Sequence, residues 1–256
     1  MRRRRLFTHQ FRSDLARFWR NPQSRYFTLL MPIVFLVIFA TIFKGTTIAN
    51  GRRISITTFY VPGIMALGVI SATFVNLAQT IVTQRENGEF KRLRGTPLPA
   101  SIVIGSRAAV GVVVAVALST LLLLMGKLLY DVRVPQSTML GLVVSVVLGA
   151  AAFSCVAFAI STRISNAEAA APAINITVLP LYFISGVFVP ESQIPLPLRD
   201  IATVFPIHHL AHALRETITQ TQGTGIVITD LLVILAWGAA ALLIAARTFQ
   251  WSPRSD

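Results

Sequence analysis

The chain has 256 residues, of which 54% are hydrophobic and only 13% are charged, and its mean hydropathy is +0.68. About 25% of the residues of a typical soluble domain are charged, so this composition excludes a soluble globular protein and indicates a polytopic membrane protein. The net charge of +13 would suit a nucleic-acid binder, but the basic residues lie at the ends of apolar stretches, which disfavours nucleic acid as a partner.

The chain begins with a basic amphipathic segment. Four arginines follow Met1; one helical face is then apolar, with Phe7, Phe11, Leu15 and Phe18, and Arg12, Asp14, Arg17 and Arg20 lie elsewhere on the wheel. A solvated basic tail would leave four bulky apolar side chains in water. We therefore predict an interfacial helix over 5–20 whose apolar face lies on membrane lipids. Polar residues after the arginines disfavour a signal peptide.

Six apolar stretches are each about 18 residues or longer, the length that a helix needs to cross a bilayer. They lie near 26–43, 58–84, 100–127, 137–161, 169–189 and 226–246. The predicted fold class is therefore all-α, a polytopic membrane protein with six transmembrane helices. Small residues recur every fourth position in the third and fourth stretches, at Ser101, Gly105 and Ala109 and at Gly141, Ser145 and Gly149. This spacing favours close helix packing in lipid.

The distribution of basic residues predicts the orientation of the spans. Six spans place both termini on the same side, and with the termini in the cytoplasm 16 of the 23 Lys and Arg residues lie on the cytoplasmic side. The positive-inside rule therefore predicts cytoplasmic termini.

Few polar residues lie inside the spans. Asn76, Gln79 and Asn175 are the candidates for lining a pathway, whereas Glu168 and Asp230 lie near predicted span ends and are expected at the interface. A proton-driven transporter would place an ionisable group near the bilayer centre. The absence of such a group disfavours that mechanism.

A charged block follows the second span. Glu86 and Glu89 open a predicted short helix over 85–95, and basic residues close it, an order that the helix dipole favours. Phe90 and Leu93 share one face of this helix outside the bilayer. We therefore expect both side chains to be exposed on the permease alone and to be covered by a protein partner in the complex.

Two short amphipathic pieces lie between the last two spans, over 195–219, and meet at Phe205-Pro206. Each is too short to span, so we predict an external re-entrant helix pair that acts as a lid, with Pro190, Pro206, Leu210 and Leu214 as its defining residues. His208, His212 and Glu216 align along one helix face, but position 209 is His where a zinc hydrolase motif requires Glu. A metal site is therefore disfavoured.

The sequence carries no signature of catalysis. It contains no phosphate loop, no G-x-S-x-G, no paired CxxC and no G-x-G-x-x-G. No catalytic residue and no cofactor is predicted, and Cys155 is the only cysteine.

Two stretches carry a family resemblance. Residues 84–99 have an Arg-Glu-x-Gly opening followed by a short helix and Thr-Pro-Leu, and residues 183–190 contain Ser-Gly-x-x-x-Pro ahead of the Pro-containing element at 205–209. In these places among six spans, they resemble the membrane subunits of ABC-2 type exporters, particularly bacterial drug-resistance permeases of the daunorubicin-exporter type.

The resemblance implies a permease that forms the export path for amphiphilic drugs or lipid-like molecules in the bacterial plasma membrane. Energy would come from two copies of a separate cytosolic ABC ATPase, and the second permease would be identical or homologous. Residues 5–20 would be the connecting helix and 85–95 the coupling helix. Its ATPase-coupling residues would be Arg85, Glu86, Gly88, Glu89, Phe90, Arg92 and Leu93.

Two alternatives remain open. One is an ion-coupled secondary transporter, which the lack of a central carboxylate and of visible internal repeats disfavours. The other is an ABC-2 exporter of a lipid-linked glycan, which would use the same fold.

Overall fold

The structure is a computed structural model that describes residues 2–43, 47–49, 53–95, 98–132, 135–220 and 223–248. The helices are α1 Arg2–Arg20, α2 Tyr26–Ile42, α3 Ile56–Glu86, α4 Glu89–Arg94, α5 Ala100–Tyr130, α6 Met139–Ser161, α7 Ala167–Ile184, α8 Leu196–Ala202, α9 Pro206–Thr219 and α10 Ile228–Thr248. Short helical turns, Pro22–Arg25 and Gln136–Thr138, lead into α2 and α6.

The expectation of a helical membrane protein is confirmed. Five described helices, α3, α5, α6, α7 and α10, are long and apolar enough to cross a membrane. The first predicted span corresponds to α2, a shorter apolar helix. A small antiparallel hairpin of β1 Thr47–Ala49 and β2 Arg53–Ser55 joins α2 to α3, and the sequence analysis did not predict it.

Two predicted boundaries were wrong, and a glycine with positive φ lies at each. The fifth span was predicted to reach residue 189, but α7 ends at Ile184 and Gly186 follows with φ +78°. The predicted helix over 85–95 is divided because Glu86 ends α3 and Gly88, at φ +69°, separates it from α4. Glycine adopts this left-handed conformation without the steric cost of a Cβ atom, so it commonly terminates a helix.

Helix α3 is the centre of the bundle. Of its most apolar 18-residue window, 83% is buried, and α5, α9 and α2 all pack on it. A helix that is apolar all round is stable only when neighbours cover every face. A π-helical turn, Ser71–Val75, interrupts α3 near its middle.

The bundle has two distinct ends. At one end, which we term the coupling end, Arg17 of α1 forms an ion pair with Glu89 of α4, and the Thr248 hydroxyl of α10 lies 3.3 Å from the Thr162 hydroxyl beyond α6. At the other end, which we term the short-helix end, the hairpin leads into α3, and α8 and α9 precede α10. Both ends of the described chain therefore lie at the coupling end.

The small-residue stripes make contacts within this chain. The Gly141 N–H donates to the Thr224 carbonyl at 3.1 Å, and Gly149 of the same stripe faces the Leu210 side chain of α9. In the other stripe, Gly105 of α5 lies against the Phe7 ring of α1. The small-residue stripes thus allow three parts of the chain to pack closely on α5 and α6: helix α1, helix α9, and the segment that precedes α10.

We predict that Gly141→Ala destabilises the fold, by about 1–3 kcal/mol for overpacking of this kind. A Cβ atom at Gly141 would lie 2.5 Å from the Gly225 carbonyl carbon and oxygen, which are backbone atoms that cannot move aside independently. The matched control is Gly105→Ala, whose Cβ atom would lie 3.6 Å from the Phe7 ring in ordinary contact. Thermal unfolding of the detergent-purified protein measures both, and equal midpoints would contradict the prediction.

Candidate functional site

The end of α3 holds the turn between α6 and α7. Arg85 is buried, and its guanidinium donates to the Ser161 carbonyl at 3.0 Å, to the Ile164 carbonyl, and to the Ser165 carbonyl at 3.3 Å. These carbonyls lie at and just beyond the C-terminal end of α6, where unsatisfied oxygens carry partial negative charge. A planar guanidinium with five donors can satisfy several of them at once.

The neighbouring acid serves the next helix. The Glu86 carboxylate accepts the backbone N–H of Ala167, the first residue of α7. The first N–H groups of a helix have no intrahelical partner, and an anion there is favoured by the helix dipole. Arg85 and Glu86 therefore clasp the end of one helix and the start of the next, and Arg85 presents no exposed surface for a partner.

The expected exposure of Phe90 was wrong. Its side chain is fully buried, and the Arg107 guanidinium of α5 lies 4.6 Å from the centroid of its ring. Leu93 is half-buried and packs against the same core. The face of α4 that carries these two residues therefore turns inward onto the chain's own core, where Arg107 of α5 lies against Phe90. The assignment of residues 85–95 to ATPase coupling stays a prediction.

Helix α1 is fixed to α5 and α4 by polar contacts as well as apolar ones. The Ser106 hydroxyl of α5 donates to the Asp14 carboxylate at 2.6 Å, and the Gln10 amide donates to the same carboxylate at 3.1 Å. Asp14, which was expected among the charges away from the apolar face, is buried. Phe11 and Phe18 pack against the core, so part of the apolar face of α1 meets α5 rather than lipid.

The solvent-exposed residues of α4 and of the turn before it are polar. Lys91 and Arg92 of α4 are exposed, as are Glu86 and Asn87 just before it. Together with the inward anchor at Phe90, this gives α4 one face attached to its own chain and one face open to a partner.

At the short-helix end, a second buried arginine fixes the loop after α7. Arg215 of α9 donates to a Glu191 carboxylate oxygen at 3.0 Å and to the Gly186 carbonyl, and its guanidinium lies 4.4 Å from the Phe59 ring centroid of α3. Pro190 immediately precedes the turn that carries Glu191. Burial lowers the pKa of Arg215, and the adjacent Glu191 carboxylate opposes that shift.

The apolar face of α9, which begins at Pro206, packs inside the chain. Leu210 and Leu214 are both fully buried. Aspartate at either position would therefore disrupt folding.

The histidines of α9 contact Asp230 and one another. Asp230 of α10 accepts contacts from His209 Nδ1 and His212 Nδ1, each at 2.7 Å, and His208 stacks on His212. Among the described residues, no group of three His, Cys, Asp or Glu side chains could hold a metal ion.

The three candidate pathway residues have different surroundings. Asn76 donates to the Thr28 hydroxyl of α2 at 3.1 Å, and Gln79 is half-buried one turn along α3. Asn175 is exposed on α7, a helix whose apolar window is only 22% buried.

Sequence reasoning missed the polar contacts that organise both ends. It placed Asp14 among the charges away from the apolar face and Asp230 at the interface, and it did not single out Arg107. One signal in the sequence could have indicated their burial. Each of these charged residues lies one helical turn from apolar residues that are themselves expected to be buried. Their partners on other helices lie 17 to 92 residues away in sequence, so no local pattern identifies them.

Comparison with known proteins agrees with this architecture. The family model described as ABC-2 type transporter matches residues 5–219. The chain belongs to the ABC-2 type transporter family. It is a membrane permease subunit of an ABC exporter and not the catalytic subunit, and membership of the family implies association with an ABC ATPase.

Three relatives show how this permease compares. It is 28% identical over 220 residues to the daunorubicin resistance ABC transporter permease protein DrrB1 of Streptomyces coeruleorubidus, covering 84% of this chain and 75% of that protein. It is 22% identical to the transport permease YvfS of Bacillus subtilis, covering 91% of this chain and 92% of that one. The inner membrane transport permease YhhJ of Escherichia coli is 25% identical over 73% of this chain, a match that spans 51% of that relative.

We predict that Phe90→Ala destabilises the permease itself, by about 3–5 kcal/mol as for other buried phenylalanines, because it removes a fully buried ring and leaves a cavity beside Arg107. The control is Lys91→Ala, an exposed neighbour on the same helix, which should change stability by no more than about 0.5 kcal/mol. Thermal unfolding of the purified permease measures both. Unchanged stability of Phe90→Ala together with loss of ATPase binding would instead make Phe90 a docking residue.

Proposed function

We propose that this permease exports amphiphilic drugs or lipid-like molecules and is driven by a cytosolic ABC ATPase that docks on α4. The observation that carries this proposal is the division of α4 into two faces. Phe90 is buried against Arg107, while Lys91 and Arg92 are exposed. A docking helix needs both properties, because it must bind its partner and pass the partner's movement to its own bundle.

The attachments of α4 supply the route for that movement. Phe90 joins α4 to α5, Glu89 joins it to Arg17 of α1, and only Asn87 and Gly88 separate it from α3. A shift of the ATPase between conformations would therefore act on three helices together. Such coupling is effective only when the ATPase binds one arrangement of the bundle better than the other.

The composition of the bundle supports an amphiphilic substrate over a sugar chain. Within the described spans, the candidate pathway residues are three amides, and Asn76 already binds Thr28. A relative bears daunorubicin resistance in its name, and daunorubicin is therefore a suitable first probe. Export of a lipid-linked glycan is the second candidate, and transport of a glycolipid without transport of daunorubicin would favour it.

We further propose that a second permease, a copy or a homologue, covers α7. Asn175 is exposed within the span, beside exposed apolar residues such as Ile176 and Leu179. A polar amide facing lipid hydrocarbon is unfavourable, whereas a second subunit or an aqueous pathway could satisfy it. The proposed assembly has two permeases and two ATPase subunits in the bacterial plasma membrane.

The proposed topology has six spans, with α2 as the first and the coupling end in the cytoplasm. The Lys and Arg bias supports this orientation. Helices α8 and α9 would then form a re-entrant lid on the outer side. The exposed apolar residues of α8, Leu196 and Ile201, support partial insertion of the lid into the membrane.

The double variant Lys91→Glu, Arg92→Glu is expected to weaken binding of the ATPase about thirtyfold or more, which corresponds to about 2 kcal/mol for charged interface contacts. Both side chains are exposed, so insertion and stability of the permease should not change. The matched control, Lys127→Glu, reverses an exposed charge on α5 near the opposite end of the bundle.

Copurification of the ATPase, with native mass spectrometry for the expected two-to-two stoichiometry, tests this result. Vesicle uptake of daunorubicin provides the functional readout. Normal copurification and normal uptake in the double variant would remove α4 as the docking site.

Cysteine labelling on a Cys155→Ser background tests the topology. With an impermeant maleimide, Ser192→Cys should react in intact cells, whereas Asn87→Cys should react only after permeabilisation; both positions are exposed. Leu196→Cys should be shielded until detergent is added if α8 is inserted. Reaction of Asn87→Cys in intact cells would reverse the orientation, and rapid reaction of Leu196→Cys would contradict the re-entrant lid.

A further inference from the structure

The histidine at position 209 lies between two acceptors. Its Nδ1 is 2.7 Å from a carboxylate oxygen of Asp230, and its Nε2 is 2.8 Å from the Thr203 carbonyl oxygen. A carbonyl oxygen cannot donate a hydrogen bond, and an ionised carboxylate cannot either. A neutral imidazole has one N–H donor and can satisfy only one of these contacts, whereas the imidazolium has two and satisfies both.

The position of these contacts in the fold gives them a mechanical role. Thr203 lies in the turn between α8 and α9, and Asp230 lies in the first turn of α10. The Trp237 indole of α10 donates to the adjacent Val204 carbonyl at 2.8 Å and stacks on Phe205, with ring centroids 6.0 Å apart. The turn of the short-helix pair is thus fixed to α10 through consecutive residues.

We propose that protonated His209 is a positioning residue that clamps the α8–α9 turn to α10, and that loss of its proton releases the turn. The clamp closes when the pH at the short-helix end is low and opens when that pH rises. His212 binds the second oxygen of Asp230 and so holds the carboxylate in place.

The surroundings of the cluster are consistent with this direction. Within the described residues, the ionisable groups that act on the three histidines are Asp230 from α10, Glu191 from the turn after α7, and Glu216 and the histidines themselves from α9. Arg215 is paired with Glu191. The hydrogen bonds to Asp230 raise the pKa of His209 and of His212. Burial lowers the pKa of His208.

The sign of the pH dependence follows from the raised pKa of His209. The stabilisation is fully present below the ordinary histidine pKa of about 6.5 and is lost as the pH rises through the higher pKa of the folded protein. The clamp itself is a property of the fold, so the fluorescence experiment that tests it does not depend on the proposed function. Only the effect of the clamp on export rests on the proposed function.

Trp237 reports on the clamp directly. The chain has three tryptophans, so Trp19→Phe with Trp251→Phe leaves Trp237 as the only fluorophore. Acrylamide quenching of its fluorescence in the nanodisc-embedded permease, measured between about pH 5 and pH 9, should increase with a midpoint above about 6.5. His209→Gln should give high quenching at every pH. The matched control is His9→Gln, which removes an exposed histidine on α1 and should keep the wild-type titration.

Two results would overturn the clamp. One is quenching of Trp237 that does not change with pH when all four histidines are present. The other is a His9→Gln variant whose quenching is independent of pH, as that of His209→Gln is expected to be. If His209→Gln does not fold, the wild-type titration and the milder His212→Gln, which should shift its midpoint, decide the matter.

Inverted vesicles with bound ATPase then test the link to export. Daunorubicin uptake should depend on the pH of the lumen, which corresponds to the outer side, and His209→Gln should abolish this dependence without loss of ATPase binding. A Trp237 titration with pH-independent uptake would contradict the regulatory role while leaving the clamp intact. No uptake at any pH in any variant would count against the proposed substrate instead.

Discussion

The guanidinium of Arg85 is the contact on which the coupling end of this permease depends. It brings a full positive charge into a buried position, which is favourable only when several acceptors surround it. The carbonyls of Ser161, Ile164 and Ser165 provide that environment because they lie where α6 ends and its backbone oxygens lack helical partners. The turn between α6 and α7 is thereby attached to α3, and Glu86 secures the start of α7.

The same physical solution recurs at the opposite end, where buried Arg215 binds the Gly186 carbonyl just beyond α7. Both arginines thus meet the carbonyl end of a helix, where the helix dipole favours a cation. Arg215 also stacks on Phe59, as Arg107 stacks on Phe90. Aromatic rings can stabilise a cation away from water without competing for hydrogen-bond donors. Charge inside this bundle is therefore used to attach loops and short helices to the long ones.

The sequence was sufficient to predict most of the helices, but it was insufficient to predict the side-chain contacts between them. Apolar stretches of bilayer length and two short Pro-initiated pieces predict most helices, because burial and length leave few alternatives. The direction of α4 was not predictable in the same way. Phe90 and Leu93 formed an apolar face, but whether a partner or the chain itself covers that face depends on residues of other helices such as Arg107, which no local pattern links to α4. The pairing of His209 with Asp230 was hidden for the same reason, and the row of His208, His212 and Glu216 suggested a different site.

The length of α3 has a geometric consequence. At about 1.5 Å per residue, its 31 residues form a rod of roughly 46 Å that reaches from the clasp at Arg85 to Phe59 beside Arg215. A rod pivoting about its midpoint acts as a lever, and a tilt of about 5° would displace each tip by roughly 2 Å in opposite directions. The π-helical turn at Ser71–Val75 lies close to that midpoint. Opposed motion of the two faces of the bundle would then require no flexible linker, only a small rotation of one buried helix.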